Sequence, residues 1–159
     1  MPALLQVLVG IPGSGKSTLA QQWLEANQVD LIVSSDSIRK ELTGSEEDLS
    51  LDNKVWFEFH KRIRAGISDE LRVACDATHL TKKSRIYITD YLKRSVPVNI
   101  YVLAPAWDVC IKRNNSRKRA VSIGVMHKMQ SRMQSFMQEA AVEALCTEYP
   151  NLCHFFIKH

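Results

Sequence analysis

"GIPGSGKST", residues 10–18, sets glycines at 10, 13 and 15 directly before a lysine and a hydroxyl residue, in the order GxxxxGKS. Glycines at those positions let the backbone turn tightly, so that successive N–H groups point at one anion. A helix starting near Lys16 adds the positive end of its dipole. In such a loop Lys16 reaches the β- and γ-phosphates of a nucleoside triphosphate and the Ser17 hydroxyl coordinates Mg²⁺. Gly10, Ile11, Pro12, Gly13, Ser14, Gly15, Lys16, Ser17 and Thr18 are therefore expected to form the phosphate site for a nucleoside triphosphate.

Three further stretches carry groups able to act on a held phosphate. In "LIVSSDSIRKEL", Asp36 follows an apolar run, at the strand edge where α/β folds bind ligands. Asp36 reads in two ways: with Ser35 as a helix N-cap, or as a general base for an attacking hydroxyl, with Arg39 one turn on beside the acceptor or the moving phosphoryl group. In "LRVACDATHL", Asp76 ends a second apolar run and is a candidate for the Mg²⁺ shell, for anchoring Arg39 or for touching the acceptor. His79, in the loop beyond it, reads as a solvated polar residue rather than a catalyst. In "WDVCIKRNNSRKRAVS", Arg113 and Arg117 share a helical face if the helix persists. They suit a mobile lid, about residues 112–121, whose planar guanidinium forks close over a triphosphate. A plain solvated basic surface is the alternative.

Short β-branched runs alternate with amphipathic stretches, the pattern of a parallel sheet flanked by helices. Strands are expected at Leu4–Val9, Asp30–Ser34, Arg72–Asp76, Val98–Leu103 and Cys153–Ile157. Helices are expected near Lys16–Ala26, Asp36–Glu41, Leu51–Ser68, Lys82–Ser95, Trp107–Asn114 and Ile123–Cys146. Met126, Met129, Met133, Phe136, Met137 and Ala140 make an apolar stripe at helical spacing, read as core, as are Val55, Phe59, Ile63 and Ile67. "TGSEEDLSLD" reads as a surface loop.

With 159 residues and no linker or repeat, one domain spanning 1–159 is expected. No apolar run approaches the roughly 20 residues that span a bilayer, and no signal-peptide profile opens the chain. Cys75, Cys110, Cys146 and Cys153 form no CxxC pair, which points to reduced thiols and a cytoplasmic location. The net charge of +4 is uneven: residues 1–80 hold 8 Lys/Arg against 12 Asp/Glu, and the remainder 13 against 5. A basic half suits an anionic partner such as nucleic acid, or only the bound nucleotide.

Taken together, "GIPGSGKST", "SSDSIR", "DATHL", "CIKRNNSR" and "VSIGVMHKM" resemble the 5′-kinase domain of phage and bacterial polynucleotide kinases, within the P-loop kinases of the AAA and adenylate-kinase-like group. The likeness runs from about Leu4 to about Met133. It implies a three-layer P-loop kinase fold with a parallel five-stranded sheet, helices on both faces and a helical lid. It also implies ATP and Mg²⁺, and transfer of the γ-phosphoryl group to the 5′-hydroxyl of a polynucleotide. Lys16 and Ser17 match the family's phosphate-loop pair, and Ser17 with Asp76 its metal site. Asp36 matches the general base, Arg39 the arginine on the acceptor-side phosphate, Asp76 the second active-site aspartate and Arg117 a lid arginine, with Arg113 as helper. Two departures stand out. His79 replaces a common asparagine, and the 159 residues are expected to form the kinase domain alone, where better-known members also carry a phosphatase or ligase domain. Related loops occur in kinases of small alcohols, of transfer-RNA-linked amino acids and of sugar nucleotides, so a kinase of a sugar, an antibiotic or a nucleotide sugar is the alternative; a non-catalytic ATP switch would need neither Asp36 nor an acceptor pocket.

Overall fold

"LLQVLV" is a run in which nearly every side chain is apolar, and such a strand must be covered on both faces. In the computed structural model, which describes residues 2–137 and 140–159, it forms β1 (Leu4–Val9), buried along almost its whole length. The other strands are β2 (Leu31–Ser34), β3 (Arg72–Asp76), β4 (Val98–Leu103) and β5 (Cys153–Lys158). All described pairings are parallel and the strand order is β2-β3-β1-β4-β5, so β1 lies at the centre. Leu8 faces Asp76 across β1–β3, and Ser34 faces Asp76 across β2–β3. The carboxyl ends of the three strands therefore finish level, and the loops leaving them share one edge.

Strand alternation sorts the apolar residues onto two faces. Leu5, Val7 and Val9 join the larger cluster with Val55, Phe59 and Ile63 of α3 (Asp52–Ser68) and with Ile88 and Leu92 of α4 (Lys82–Lys93). Leu8 faces the opposite side, with Ala20 and Trp23 of α1 (Lys16–Glu25). The expected three-layer arrangement is present. Each expected strand lies within a residue of its observed bounds, and the helices near theirs: α2 is Ser35–Thr43 and α5 is Trp107–Asn115. The last expected helix, Ile123–Cys146, corresponds to α6 (Ile123–Met137) and α7 (Ala140–Glu148); residues 138 and 139 lie outside those described.

The methionine stripe divides. Met126, Met133 and Phe136 are core, Met129 is half-buried at a cleft, and Met137 is exposed. The side chain of Ala140 is outside the described set. Val55, Phe59 and Ile63 are fully buried and Ile67 half-buried, as expected. All four cysteines are free thiols, and Cys146 approaches Cys153 to 3.5 Å between sulfurs. No helix among the described residues is long and apolar enough to cross a membrane.

Candidate active site

Phosphate binding at a helix start needs free N–H groups, and α1 leaves them free. Its N-cap is Gly15, which offers no side-chain acceptor and holds φ at 96°. Gly13 is also left-handed at 79°, and a Cβ there would collide with the Cys110 carbonyl of α5, so glycine is required twice over. The loop thus curls under α5 and presents its amides to a cleft of about 740 Å³. Lys16 is buried, its Nζ donating to Ile11 O at 3.0 Å and, more weakly, to Ser14 Oγ at 3.4 Å. Burial pushes its pKa down, against the pull of Asp76 and Asp36. The loop's own oxygens here occupy the donors that phosphate oxygens would take.

Asp76, at the end of β3, accepts a hydrogen bond from Ser17 Oγ at 2.7 Å. Burial raises its pKa, opposed by that hydrogen bond and by Lys16. Of the roles open to Asp76 from sequence, anchoring Arg39 is not the one found. Arg39 instead forks between Asp36, 3.0 Å from its Nη1, and Asp52 at the start of α3, 2.8 Å from its Nη2. Its Nε is buried with no partner. Asp36 is not the helix cap either. Strand β2 gives way to helix one residue earlier than expected, and Ser34 Oγ accepts the capping bond from Ser37 N at 3.4 Å. The Asp36 carboxylate, about half exposed, is left to face the cleft.

His79 corrects its sequence reading as a solvated residue. It is wholly buried, with φ at 51°, and Nδ1 lies 2.6 Å from Leu8 O and 3.1 Å from Ala77 O. Two carbonyl neighbours require Nδ1 to carry the proton, so Nε2 accepts from the Tyr87 hydroxyl at 2.8 Å. Arg85 donates to His79 O at 2.6 Å, and Gly10 N donates to Thr78 O at 3.1 Å. These bonds tie the loop after Asp76 to the strand that launches the phosphate loop. His79 positions that loop, and no chemistry is assigned to it.

A pH dependence follows. Burial holds the His79 pKa down at about 4, against 6.5 when unfolded. The folded chain then binds fewer protons between those values, so stability is complete above the unfolded value and falls as pH drops toward the folded one. Between pH 7.5 and 5 the loss attributable to His79 is about 2 kcal/mol. Urea denaturation of parent and His79→Asn at both pH values should show the parent losing that much more; parallel losses would contradict it.

The lid differs from expectation in one respect. Helix α5 stops at Asn115, so Arg117 sits in a turn past its end, and Arg113 and Arg117 do not share a helical face. Asn114 explains the stop. Its buried amide donates to Val121 O at 2.8 Å and accepts from Val121 N at 3.0 Å, closing residues 115–120 into a compact loop. Arg113 Nη1 still reaches Gly13 O at 3.4 Å, and Arg113 and Arg117 both line the cleft. The structure thus brings Lys16, Ser17, Asp36, Arg39, Asp76, Arg113 and Arg117 around one cavity. Arg119 lies in the expected lid, but sequence reasoning gave it no partner and missed Asp52, Glu46, Glu47, Leu49 and Trp56, which belong to no motif and meet the site only by tertiary packing.

The residues present suit the two groups such a loop holds. Ser17 and Asp76 are hard oxygen donors in contact, and among the described residues no cluster of three or more His, Cys, Asp or Glu offers a metal cage. That set fits Mg²⁺, which keeps waters and phosphate oxygens for most of its shell. The central-strand glycine loop, the uncapped helix start and the buried lysine define a P-loop nucleotide-binding domain of the kinase-like class.

A family model described as AAA domain matches residues 5–136, and the chain belongs to that family. No curated protein matches the sequence significantly. A chain of the Pnkp1/Rnl/Hen1 RNA repair complex is similar in structure, with a TM-score of 0.71 and 20% identity over 86% of this chain. A chain of a second Pnkp1/Rnl/Hen1 complex gives 0.62 and 21% over 77%. Shikimate kinase from Acinetobacter baumannii, in complex with shikimate, gives 0.55 and 16% over 99% of this chain and 84% of its own. The match covers 45% and 41% of the two repair-complex chains, less than half of each. At these identities the likeness concerns the fold.

Proposed function

We propose that the protein is an ATP-dependent kinase that moves the γ-phosphoryl group to a hydroxyl, the acceptor being the 5′-OH end of a polynucleotide. The observation that carries the reading is Asp36, a carboxylate oriented by Arg39 in the same cleft as Lys16 and the Ser17–Asp76 pair. A nucleotide switch has no need of that carboxylate, nor of a cavity running past the phosphate loop to α2 and α3. Asp36 positions the attacking oxygen and accepts its proton. Lys16 exchanges Ile11 O for phosphate oxygens, and Arg113 and Arg117 offset the charge that spreads during transfer. Ser17 and Asp76 would hold Mg²⁺, which would supply positive charge against the phosphates.

The nucleic-acid acceptor is supported by the motif resemblance, by the basic second half and by fold similarity to a protein of an RNA repair complex. A second reading, a small alcohol as acceptor, is favoured by one observation. Asp36, Glu46, Glu47 and Asp52 bring four carboxylates to the α2–α3 side, where Arg39 and Arg119 are their arginine partners.

The test offers γ-labelled ATP and Mg²⁺ with 5′-OH DNA and RNA oligonucleotides beside a panel of sugars and other alcohols. Label is expected on the oligonucleotide 5′ ends. Label confined to a small alcohol would replace the nucleic-acid reading, and ATP binding without label on any acceptor would point to a switch.

A further inference from the structure

Of the four cysteines, two meet. Cys146 lies near the end of α7 and Cys153 opens β5, and their sulfurs stand 3.5 Å apart as free thiols. Cys75 and Cys110 are buried elsewhere, Cys110 with its thiol toward Pro105 O at 3.9 Å. The backbone between the pair is already closed. Tyr149 N donates to Leu145 O at 2.9 Å, and Tyr149 O accepts from Leu152 N at 3.0 Å and from Cys153 N at 2.8 Å. Val98 N donates to Leu152 O at 2.7 Å, which fixes the turn to the start of β4. Main-chain bonds that involve neither sulfur therefore hold the two cysteines face to face.

The sulfurs of a disulfide lie about 2.05 Å apart, so closure asks for a further approach of about 1.5 Å. Rotations of about 30° at the two Cα–Cβ bonds can supply it without leaving a staggered well. The two thiols differ in access. Cys153 is 2% exposed, while Cys146 is half-buried and reaches solvent. Burial and the neighbouring thiol push the Cys153 pKa up to about 12. The thiolate is the attacking species, so the first attack on an outside disulfide falls to Cys146. Among the described residues α7 packs chiefly on β5, and β5 is an edge strand paired with β4 alone. A covalent bond at this point ties the last helix to the outermost strand.

We propose that Cys146 and Cys153 are a redox modification site, closed by a small disulfide such as oxidised glutathione and reopened by thiols, and that the bond fastens α7 to β5. The Cys146 thiolate attacks one sulfur of the oxidant, whose S–S bond breaks and releases one glutathione thiolate. Cys153 then gives its proton to solvent and attacks the Cys146 sulfur, and the second glutathione leaves as a thiolate. Two electrons pass from the cysteines to the oxidant, and the two thiol protons end on the two glutathiones. The second step is intramolecular, between groups already in contact, which gives it a high effective concentration. A pair reached through a half-buried thiol is of the labile, reversible type rather than a permanent bridge. Neither cysteine lines the cleft, so the inference is independent of the nucleotide and of the acceptor.

In the experiment the folded chain is incubated with oxidised glutathione, quenched with acid, unfolded, alkylated and cleaved after Glu148. That cut leaves the two cysteines on separate peptides unless the bond joins them. The parent is expected to yield the joined pair with Cys75 and Cys110 alkylated, and dithiothreitol should reverse it. Cys153→Ser should stop with glutathione carried on Cys146. Cys146→Ser should take up none, because Cys153 is covered. Hydrogen exchange of the α7 amides should slow by about tenfold or more when the parent is oxidised. An unmodified parent, glutathione left on its Cys146, or a bond to another cysteine or a second chain overturns the site. Uptake at Cys153 in Cys146→Ser overturns the order of attack, and unchanged α7 exchange in the joined protein overturns the fastening.

Discussion

Asp36→Asn is expected to retain ATP binding and to lose phosphoryl transfer by about 10²–10⁴-fold, the usual worth of a general base. The substitution is chosen for its shape. The asparagine carbonyl can still accept from Arg39 Nη1, so the fork between residues 36 and 52 survives and only the proton acceptor is removed. Asp36 is half exposed and does not cap α2, so its loss leaves the helix start, fastened by Ser34, in place. The measurement is single-turnover transfer from labelled ATP together with a nucleotide-binding titration. Transfer retained within about tenfold of the parent would remove Asp36 from the reaction as its base while leaving the kinase reading in place. A parallel loss of ATP binding would mean that the residue shapes the phosphate loop rather than the chemistry.

Lys16→Met should separate stability from function. A buried ammonium whose pKa is pushed down by burial is in a worse place than water until phosphate arrives. Its partners without nucleotide are one backbone carbonyl and one weakly placed hydroxyl. Replacing it by a flexible apolar chain of similar length removes that penalty, so thermal unfolding without nucleotide is expected at or above the parent temperature. The variant should meanwhile lose about 10²–10³ in kcat, the scale for removing one preorganised positive donor. Activity near the parent level would show that Lys16 does not reach the transferring phosphate. A steep fall in stability would show that its bonds to Ile11 O and Ser14 hold the loop together.

Much of this arrangement could be read from residue order because its causes are local. A parallel strand buried on both faces must be nearly continuous in apolar residues, and "LLQVLV", "RVACD" and "VNIYVL" are. The phosphate loop is local as well. Its glycines, lysine and serine act through backbone angles and a helix start within nine residues, residues 10–18. Asp36 and Asp76 are legible because the first follows closely on a strand of a parallel sheet and the second ends one, and such strand ends share one edge.

What sequence missed lies in pairings between distant segments. His79 looked like a loop polar residue, but its imidazole is buried by Phe59 and Tyr87 from two other helices and bonded to Leu8. Arg113 and Arg117 looked like one helical face, until Asn114 was seen to bind Val121 and end the helix between them. Asp52 and the Glu46–Glu47 pair sat in an ordinary acidic loop. Only α3 packing beside α2, and the lid folding over both, set them against Arg39 and Arg119.

The sequence alone therefore determined the strands, the phosphate loop and the edge where chemistry can occur, since backbone geometry and burial pattern are set by near neighbours. The tertiary structure decided which charges face each other across the cleft. An ion pair between residues 46 and 119 depends on two loops meeting in space, and no local periodicity records that meeting.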